Sequence, residues 1–554
     1  MNPLVSATKG LPFPASLTGG GADNDAGQWI NKKILIIDDF ASMRQMLRDT
    51  LRNFGVKYIE QSSNGTEALG QMARTPFDVV LCDFHLGDGM NGPQILVDAR
   101  LRKLITPSCI WLVVSVEKSS EMILGLAEHQ ADGFLIKPIT EAILLTRLKR
   151  ILEKKKVFAP IQEALAADDF HNAMLLCDNA LRQHRVHVAE LLRLKSDILR
   201  KSGADDKALE ILSAILRERE FPWAKTGIAQ IRLANGEVGP ARDLLREVVA
   251  ETPNFLEAFD TLADAHLQLG EDEEAKSALI SATKLSPNSA LRQENLGDVA
   301  LKLGDTLVAE KAYRKSVNVG EYSISKKAGP YFGLARLVGI RGETKEALAL
   351  LKQVQQLFPT EENLIRAKVT EATVLIEGKD RLAARRAGQE LYELLERSTV
   401  RLDLNGYLDT ARMLFAIGAR DEACSVIRDL VMNHHDNAAL LLACQAIFDK
   451  ANMHPEGAEI IADTKLEAIE MMNRGLLLWK AGNLEEAVEW MRSCRPKLPE
   501  NVRFLLNFAG LLIAFAKQYP GGDGASEEVR SVLAQVHRRA PNHPRYKEML
   551  ALLD

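Results

Sequence analysis

The chain has 554 residues, which at about 150 residues per domain suggests three or four domains unless the chain is built from repeats. Hydrophobic residues make up 46% and charged residues 26%, and the formal net charge of −5 gives no bulk pull toward nucleic acid or an anionic membrane. Aromatic residues are only 6%, so a mostly helical chain is expected. No run of about 18 uncharged apolar residues suggests a membrane span. The six cysteines (Cys82, Cys109, Cys177, Cys424, Cys444, Cys494) form no CxxC pair and no His/Cys metal spacing. They read as buried thiols of a reducing compartment, and a cytoplasmic protein is expected.

Residues 1–30, with Pro12, Pro14 and Gly19-Gly20-Gly21, lack the basic start and apolar core of a signal peptide and read as a flexible tail. Lys33 to Ile37 is then a short apolar run ending in Asp38 and Asp39. Ser42–Arg52 has helical spacing, with Met43, Met46, Leu47 and Leu51 on one face. The alternation continues: strand Tyr58–Gln61, helix Thr66–Ala73, strand Val79–Cys82, helix Pro93–Arg102. Strand Ile110–Val114, helix Ser119–His129, strand Phe134–Ile136 and helix Glu141–Glu153 follow. Such alternation implies an α/β doubly wound, five-stranded parallel sheet. In the strand order 2-1-3-4-5 the first and third strands are neighbours, so Asp38, Asp39 and Asp83 meet at one rim. Three carboxylates there repel one another and call for a hard cation with oxygen ligands, for which Mg²⁺ is suited. Ser115 and Lys137 end the fourth and fifth strands, where a hydroxyl and an ammonium can reach the same phosphoryl group. Lys137-Pro138 is expected to be cis, which turns Lys137 into the pocket.

Asp38-Asp39, Asp83, Ser115 and Lys137-Pro138 stand in the order and near the separations of a known family. Residues 31–154 resemble the receiver domain of bacterial two-component response regulators, of the chemotaxis-regulator type. The resemblance implies that Asp83 is the phosphoacceptor. It also implies that Asp38, Asp39, Asp83 and the backbone carbonyl of His85 hold Mg²⁺, that Ser115 and Lys137 read the phosphoryl group, and that Phe134 follows Ser115 as an aromatic switch. The surface expected to change comprises the fourth helix, fifth strand and fifth helix. Receivers often dimerise through that face, so a homodimer is among the partners the resemblance allows. One departure lies beside the site: the loop Phe84–Gly92 is about one residue longer than the family loop and has Gly87 where a proline is usual. His85 and Glu117 stand where the family tunes dephosphorylation.

No further strand is expected after residue 154. Gly236, Gly270 and Gly304 are 34 residues apart, and Ala241, Ala275 and Ala309 follow each by five. Gly342/Ala347, Gly418/Ala423 and Gly482/Ala487 keep that offset, and Pro253, Pro287, Pro359 and Pro499 close their units. Glycine suits a tight interhelical turn, alanine a close helix approach, and proline a helix end. Weaker units are placed at Asp168/Ala173, Gly203/Ala208, Gly378/Ala384, near Ala458, and at Gly524/Val529. The pattern resembles the tetratricopeptide repeat, which implies an all-α superhelical solenoid over residues 155–554, with about eleven helix pairs, a capping helix from Arg545, and protein or peptide partners. Irregular spacing after Gly304 and around Ala458 predicts insertions or a kink.

Glu141–Lys156 contains neither Gly nor Pro and ends in a basic run. It reads either as a solvated helix with a favourable C-terminal charge or as a rigid rod into the first repeat. The Glu-Ala-Leu tripeptides at residues 67, 163 and 346 sit in short helices, not in a (β/α)₈ barrel. Adjacent His434-His435 point about 100° apart on a helix and are not a metal pair. The tryptophans are read as packing residues. The sequence therefore reads as a response regulator, with no enzymatic activity beyond phosphotransfer to itself and autodephosphorylation. A sensor histidine kinase or phosphotransfer protein would be the donor, and the repeats would bind protein. DNA output is not expected, because the repeat region is not basic and has no winged-helix signal. The competing readings are a phosphate sink that limits kinase flux to another regulator and a constitutive scaffold that uses its receiver for assembly.

Overall fold

The structure, a computed structural model, describes residues 29–550 except 88, 117–123, 126–127, 185, 324–325, 398–401, 520–522 and 541–542. Five parallel strands form one sheet: β1 Lys33–Ile37, β2 Tyr58–Ser62, β3 Val79–Asp83, β4 Ile110–Ser115 and β5 Gly133–Ile136, in the expected order β2-β1-β3-β4-β5. The three central strands read as continuous apolar runs because both their faces are covered. Ile34, Ile36, Val79, Leu81, Ile110 and Leu112 face one side, with Leu47, Leu51, Leu144 and Leu148 packed on them. Leu35, Ile37, Val80, Cys82, Trp111 and Val113 face the other, with Leu69, Ile95 and Leu96. The covering helices are α1 Ala41–Asn53, α2 Gly65–Met72, α3 Gly92–Leu101 and α4 Glu141–Ala166. Most of the helix expected at Ser119–His129, and Glu117, lie outside the described residues. Trp29, read as part of the tail, is instead buried in the first of these cores.

The helix α4 continues well beyond the expected end at Glu153. It runs unbroken for 26 residues, through Pro160, and its second half packs Phe158, Ile161 and Ala164 against the first repeat helices. Its N-cap Thr140 accepts a hydrogen bond from the Ile143 amide at 3.4 Å. No residue with an unstrained alternative backbone interrupts the basic run, so the helix of the sheet is also the first helix of the array.

The chain forms two compact units that meet in sequence at Leu334/Ala335. In the first unit the array continues as α5 Phe170–Gln183, α6 Val188–Lys201, α7 Asp205–Glu218, α8 Pro222–Ala234, α9 Val238–Glu251, α10 Leu256–Leu269, α11 Asp272–Leu285, α12 Ala290–Lys302 and α13 Thr306–Gly320. The helix Gly329–Ile340 leads into the second unit, whose elements among the described residues are all helices, the last ending at Leu550. Among the described residues no helix is long and apolar enough to cross a membrane.

One backbone device recurs in both units. Gly203, Gly236, Gly270, Gly304, Gly342, Gly418 and Gly482 all have positive φ, between 74° and 88°. The residue five positions later is a fully buried alanine in each case. Three further turns put Asp168, Lys379 and Asn452 in the same left-handed conformation. The turn expected at Gly378 is therefore made by Lys379, and Gly378 itself has φ −71°. The small residue expected near Ala458 is Gly457, against which the Phe448 ring packs. Gly524 lies inside the helix Asp523–Arg539 instead of in a turn. The irregular spacing begins where eight residues, 321–328, separate the helices Thr306–Gly320 and Gly329–Ile340, and it has two further causes. The helices Glu361–Glu377 and Arg381–Arg397 are 17 residues long, against 14 for most of their counterparts, and the 27-residue helix His454–Lys480 spans from one turn to the next.

These turns give a paired test. Nothing lies within 4 Å of a Cβ added at Gly482, so Gly482→Ala should cost only the backbone strain of φ +88°, about 1–2 kcal/mol. Ala487→Leu forces a larger side chain into a site with no exposure and should cost about 1–3 kcal/mol by displacing the paired helix. Hydrogen exchange over residues 454–494 reads both.

All six cysteines are free and buried. Burial pushes the thiols of Cys109 and Cys177 up to about 12 and that of Cys444 to about 11, so they stay protonated and unreactive at neutral pH.

Candidate functional site

The parallel register brings the strand ends together. Ile37 pairs with Cys82, Asp83 with Val114, and Ser115 with Ile136. The chain beyond each end is held by main-chain bonds: Asp38 N donates to Ser62 O at 3.2 Å, Phe84 N to Val114 O at 2.8 Å and Lys137 N to Ser115 O at 2.8 Å. Asp38, Asp39, Asp83, Ser115 and Lys137 thus reach one rim of the sheet.

There the Lys137 ammonium bridges two carboxylates, 2.9 Å from Asp38 Oδ2 and 3.0 Å from Asp83 Oδ2. Asp38 and Asp83 are 1% and 6% exposed, whereas Asp39 is exposed. The second oxygen of each buried acid accepts from the main chain: Phe40 N donates to Asp38 Oδ1 at 2.9 Å, and Phe84 N to Asp83 Oδ1 at 2.8 Å. Burial pushes the Asp83 carboxyl above the usual range, and neighbouring Asp38 adds to this, against the counter-pull of Lys137 and the Phe84 amide. For Lys137, burial favours the neutral amine, but the hydrogen bonds and charges of Asp38 and Asp83 outweigh it and hold the ammonium above its ordinary value.

Each of Asp38, Asp39 and Asp83 offers an oxygen within 4.8 Å of the others, and among the described residues this is the group of acid, histidine or cysteine side chains that converges closely enough to hold a metal. Three acids against one lysine leave negative charge to be balanced. The Arg44 guanidinium does not supply the balance, since it donates to the carbonyl oxygens of Asp38 and Asp39, at 2.6 and 3.1 Å. An all-oxygen donor set with surplus negative charge fits a hard divalent cation.

The loop after Asp83 makes its turns at Gly87, φ +66°, and Gly89, φ +119°. Both conformations favour glycine, which accounts for Gly87 where the sequence lacks the family's proline. His85 is exposed in that loop, with its ring edge-on to Phe84 at 4.7 Å. Ser115 is fully buried at the end of β4. Phe134 pairs with Val113 and is half-buried, its ring 6.0 Å from the Arg147 guanidinium carbon. The Lys137–Pro138 bond is cis.

Two contributors were not singled out from the sequence. Arg44 fixes the backbone of the acid pair; its position on the first turn of α1, six residues after Asp38, was the available signal. Glu67 on α2 accepts from Ser63 N at 2.9 Å and Ser62 Oγ at 3.1 Å, and so secures the end of β2 beside Asp38. His434 and His435 carry no metal pattern: His435 is buried, with Nδ1 2.9 Å from Asn501 Nδ2.

A doubly wound sheet with this rim of acids, serine and lysine, joined to helical hairpins, defines the class: a receiver-type signalling domain with a repeat array. The comparisons place it further. Residues 34–149 match the response regulator receiver domain and residues 261–323 a tetratricopeptide repeat. The chemotaxis protein CheY-3 of Vibrio cholerae is 32% identical over 124 residues, 22% of this chain and 94% of that protein. CheY of Pseudomonas aeruginosa is 31% identical over 126 residues, 22% of this chain and 97% of its own length. Among solved structures, Vibrio cholerae CheY4 is 30% identical, covering 22% of this chain and 98% of that one with a TM-score of 0.20. The TPR protein YrrB is 15% identical, covering 34% and 94%, with a TM-score of 0.31. Through its N-terminal sheet the chain belongs to the response regulator receiver family, and its helical region carries tetratricopeptide repeats.

Proposed function

We propose that Asp83 accepts a phosphoryl group from a histidine kinase or phosphotransfer protein, and that this modulates protein binding by the repeat array. The observation that carries the reading is the Lys137 ammonium held between Asp38 and Asp83 at a rim with three converging carboxylates. Asp38, Asp39, Asp83 and the His85 carbonyl are the groups that would hold Mg²⁺. Bound there, the ion would neutralise the acids and the incoming phosphoryl oxygens.

The chain's own residues account for the rest. The Phe84 amide fixes one Asp83 oxygen, which leaves the other toward Lys137. That carboxylate oxygen forms a bond to phosphorus as the donor's P–N bond breaks, and the donor imidazole keeps the nitrogen electron pair. Lys137 then pairs with a phosphoryl oxygen as well as with Asp38. Ser115 donates to another oxygen, and Phe134, on the adjoining strand, follows it inward. Phosphorylation adds about −1.5 to −2 charges.

Full-length protein offered acetyl phosphate and Mg²⁺ is expected to gain the mass of one phosphoryl group on the peptide containing Asp83. Asp83→Asn and metal chelation should each reduce incorporation to background. Undiminished labelling of the asparagine variant would sink the assignment.

A further inference from the structure

Within the first unit the receiver and the array are joined by more than α4. Arg292, at the start of α12, is 4% exposed. Its guanidinium is shared between the two parts. Nε and Nη2 bind the two oxygens of Asp260 on α10 at 2.7 and 2.8 Å, Nη1 donates to Ser286 O at 3.0 Å, and Nη2 also reaches Glu128 Oε1 of the receiver at 2.8 Å. Ser286 Oγ donates to the other Glu128 oxygen at 2.7 Å. A second contact lies on α3. Gln94 Nε2 donates to Val319 O, near the end of α13, at 2.8 Å.

Both receiver prongs sit one element beyond the proposed chemistry. Glu128 follows Ser115, the end of β4, by 13 residues in the chain. Gln94 is in the first turn of α3, where it completes a capping box with Asn91. That turn is tied to the site through one peptide: Phe84 N donates to Asp83 Oδ1, and Phe84 O accepts from Gly92 N at 3.0 Å. A displacement of the Asp83 carboxylate therefore has a short bonded path to Gln94.

The contact is also built to open. Among the described residues, the apolar cluster on this face of the sheet contains no array residue, and the cluster of α8–α13 contains no receiver residue. A cleft of about 1070 Å³ separates the receiver from the earlier helices, with Arg100 and Lys103 on one wall and Asp197 and Gln230 on the other. Among the described residues, polar bonds tie the two parts beside a small recess that Val97 of the receiver and Leu291 and Val319 of the array line.

We infer that helices α10–α13 are the receiver's own intramolecular partner, held by a latch of Glu128, Arg292 and Gln94, and that phosphorylation opens the latch. The opening step rests on the reading of Asp83 given above; the partnership does not. Reciprocity requires that a latch favoured by the free acid also opposes phosphorylation.

Hydrogen exchange on the full chain tests this, with phosphoryl content read by mass in the same samples. Treatment with acetyl phosphate and Mg²⁺ is expected to speed exchange in residues 256–320 by about fivefold or more. Glu128→Arg, and separately Gln94→Ala, should raise that exchange without any donor and should reach a higher phosphoryl content at the same donor concentration. Phosphoryl acceptance also shows that each variant receiver is folded. If Asp83 gains mass while exchange in residues 256–320 stays unchanged, the coupling is overturned and the phosphoacceptor reading stands. If no mass is gained, that reading fails, and the variants alone decide the partnership. Unaltered exchange in both variants overturns it.

Discussion

Gly92→Ala is expected to destabilise the receiver by about 1–3 kcal/mol and to suppress phosphoryl uptake at Asp83. A Cβ at this position would lie 2.4 Å from the Asp83 carbonyl oxygen and 3.2 Å from Cys82 Sγ. The first obstacle is backbone of a fully buried strand, so it cannot swing aside as a side-chain tip would. Either the end of β3 shifts or the first turn of α3 lifts away. The first outcome moves the acid relative to Lys137, and the second breaks the Gly92 N to Phe84 O bond. Gly70→Ala is the matched control. It sits in helix α2 with nothing within 4 Å of the added methyl, and should stabilise by about 0.5–1 kcal/mol. Hydrogen exchange in Val79–Asp83 together with the phosphorylation assay distinguishes the two. Equal behaviour of the two variants would show that the approach of α3 to Asp83 is not constraining.

The sheet and its rim were legible because each is written locally. An apolar run ending in a carboxylate states both a buried strand and the position of its acid, and the parallel topology does the rest. The repeats were legible where glycine made the turn, since only a residue free of the Cβ penalty marks a left-handed position unambiguously. They were blurred where Asp168, Lys379 or Asn452 took that conformation at a cost, because nothing about a lysine signals it. The common end of α4 and the array was half-visible: the absence of breakers before Lys156 allowed a rigid rod, and the helix runs on through Pro160, a residue type that ordinarily ends one. The Glu128–Arg292 pair spans 164 residues, and neither residue stands in any local pattern. Trp29 was misassigned for a related reason, since its neighbours are composed like a tail while it is buried in a core that also takes in β3 and β4.

Gly297→Ala and Gly333→Ala are expected to be among the most damaging small substitutions in the array, each at or above the upper end of about 1–3 kcal/mol. Tyr313 on α13 is 1% exposed, and a Cβ at Gly297 would stand 2.6 Å from its Cε1, while one at Gly333 would stand 2.3 Å from its Cζ. Both glycines are helical, so their backbones gain nothing from the missing side chain, and glycine there weakens the helix by about 0.5–1 kcal/mol relative to alanine. The ring's close approach is what requires them. Pressed from one side, the ring has no room on the other, and its hydroxyl is fixed by a 2.6 Å bond to Asp298 Oδ1. Tyr313→Phe should cost only about 0.5–1.5 kcal/mol, the net value of that bond. Tyr313→Leu should itself be destabilising but should make either alanine far less harmful, a non-additivity of about 0.5–3 kcal/mol in a double-mutant cycle. Exchange rates over residues 290–334 measure all four variants. Strict additivity would mean that the glycines act through helix propensity alone. Because α12 and α13 also carry Arg292 and Val319, a loosened ring should speed exchange at Ala290–Gln293 and at the end of α13, which would place the clamp beneath the contact with the receiver.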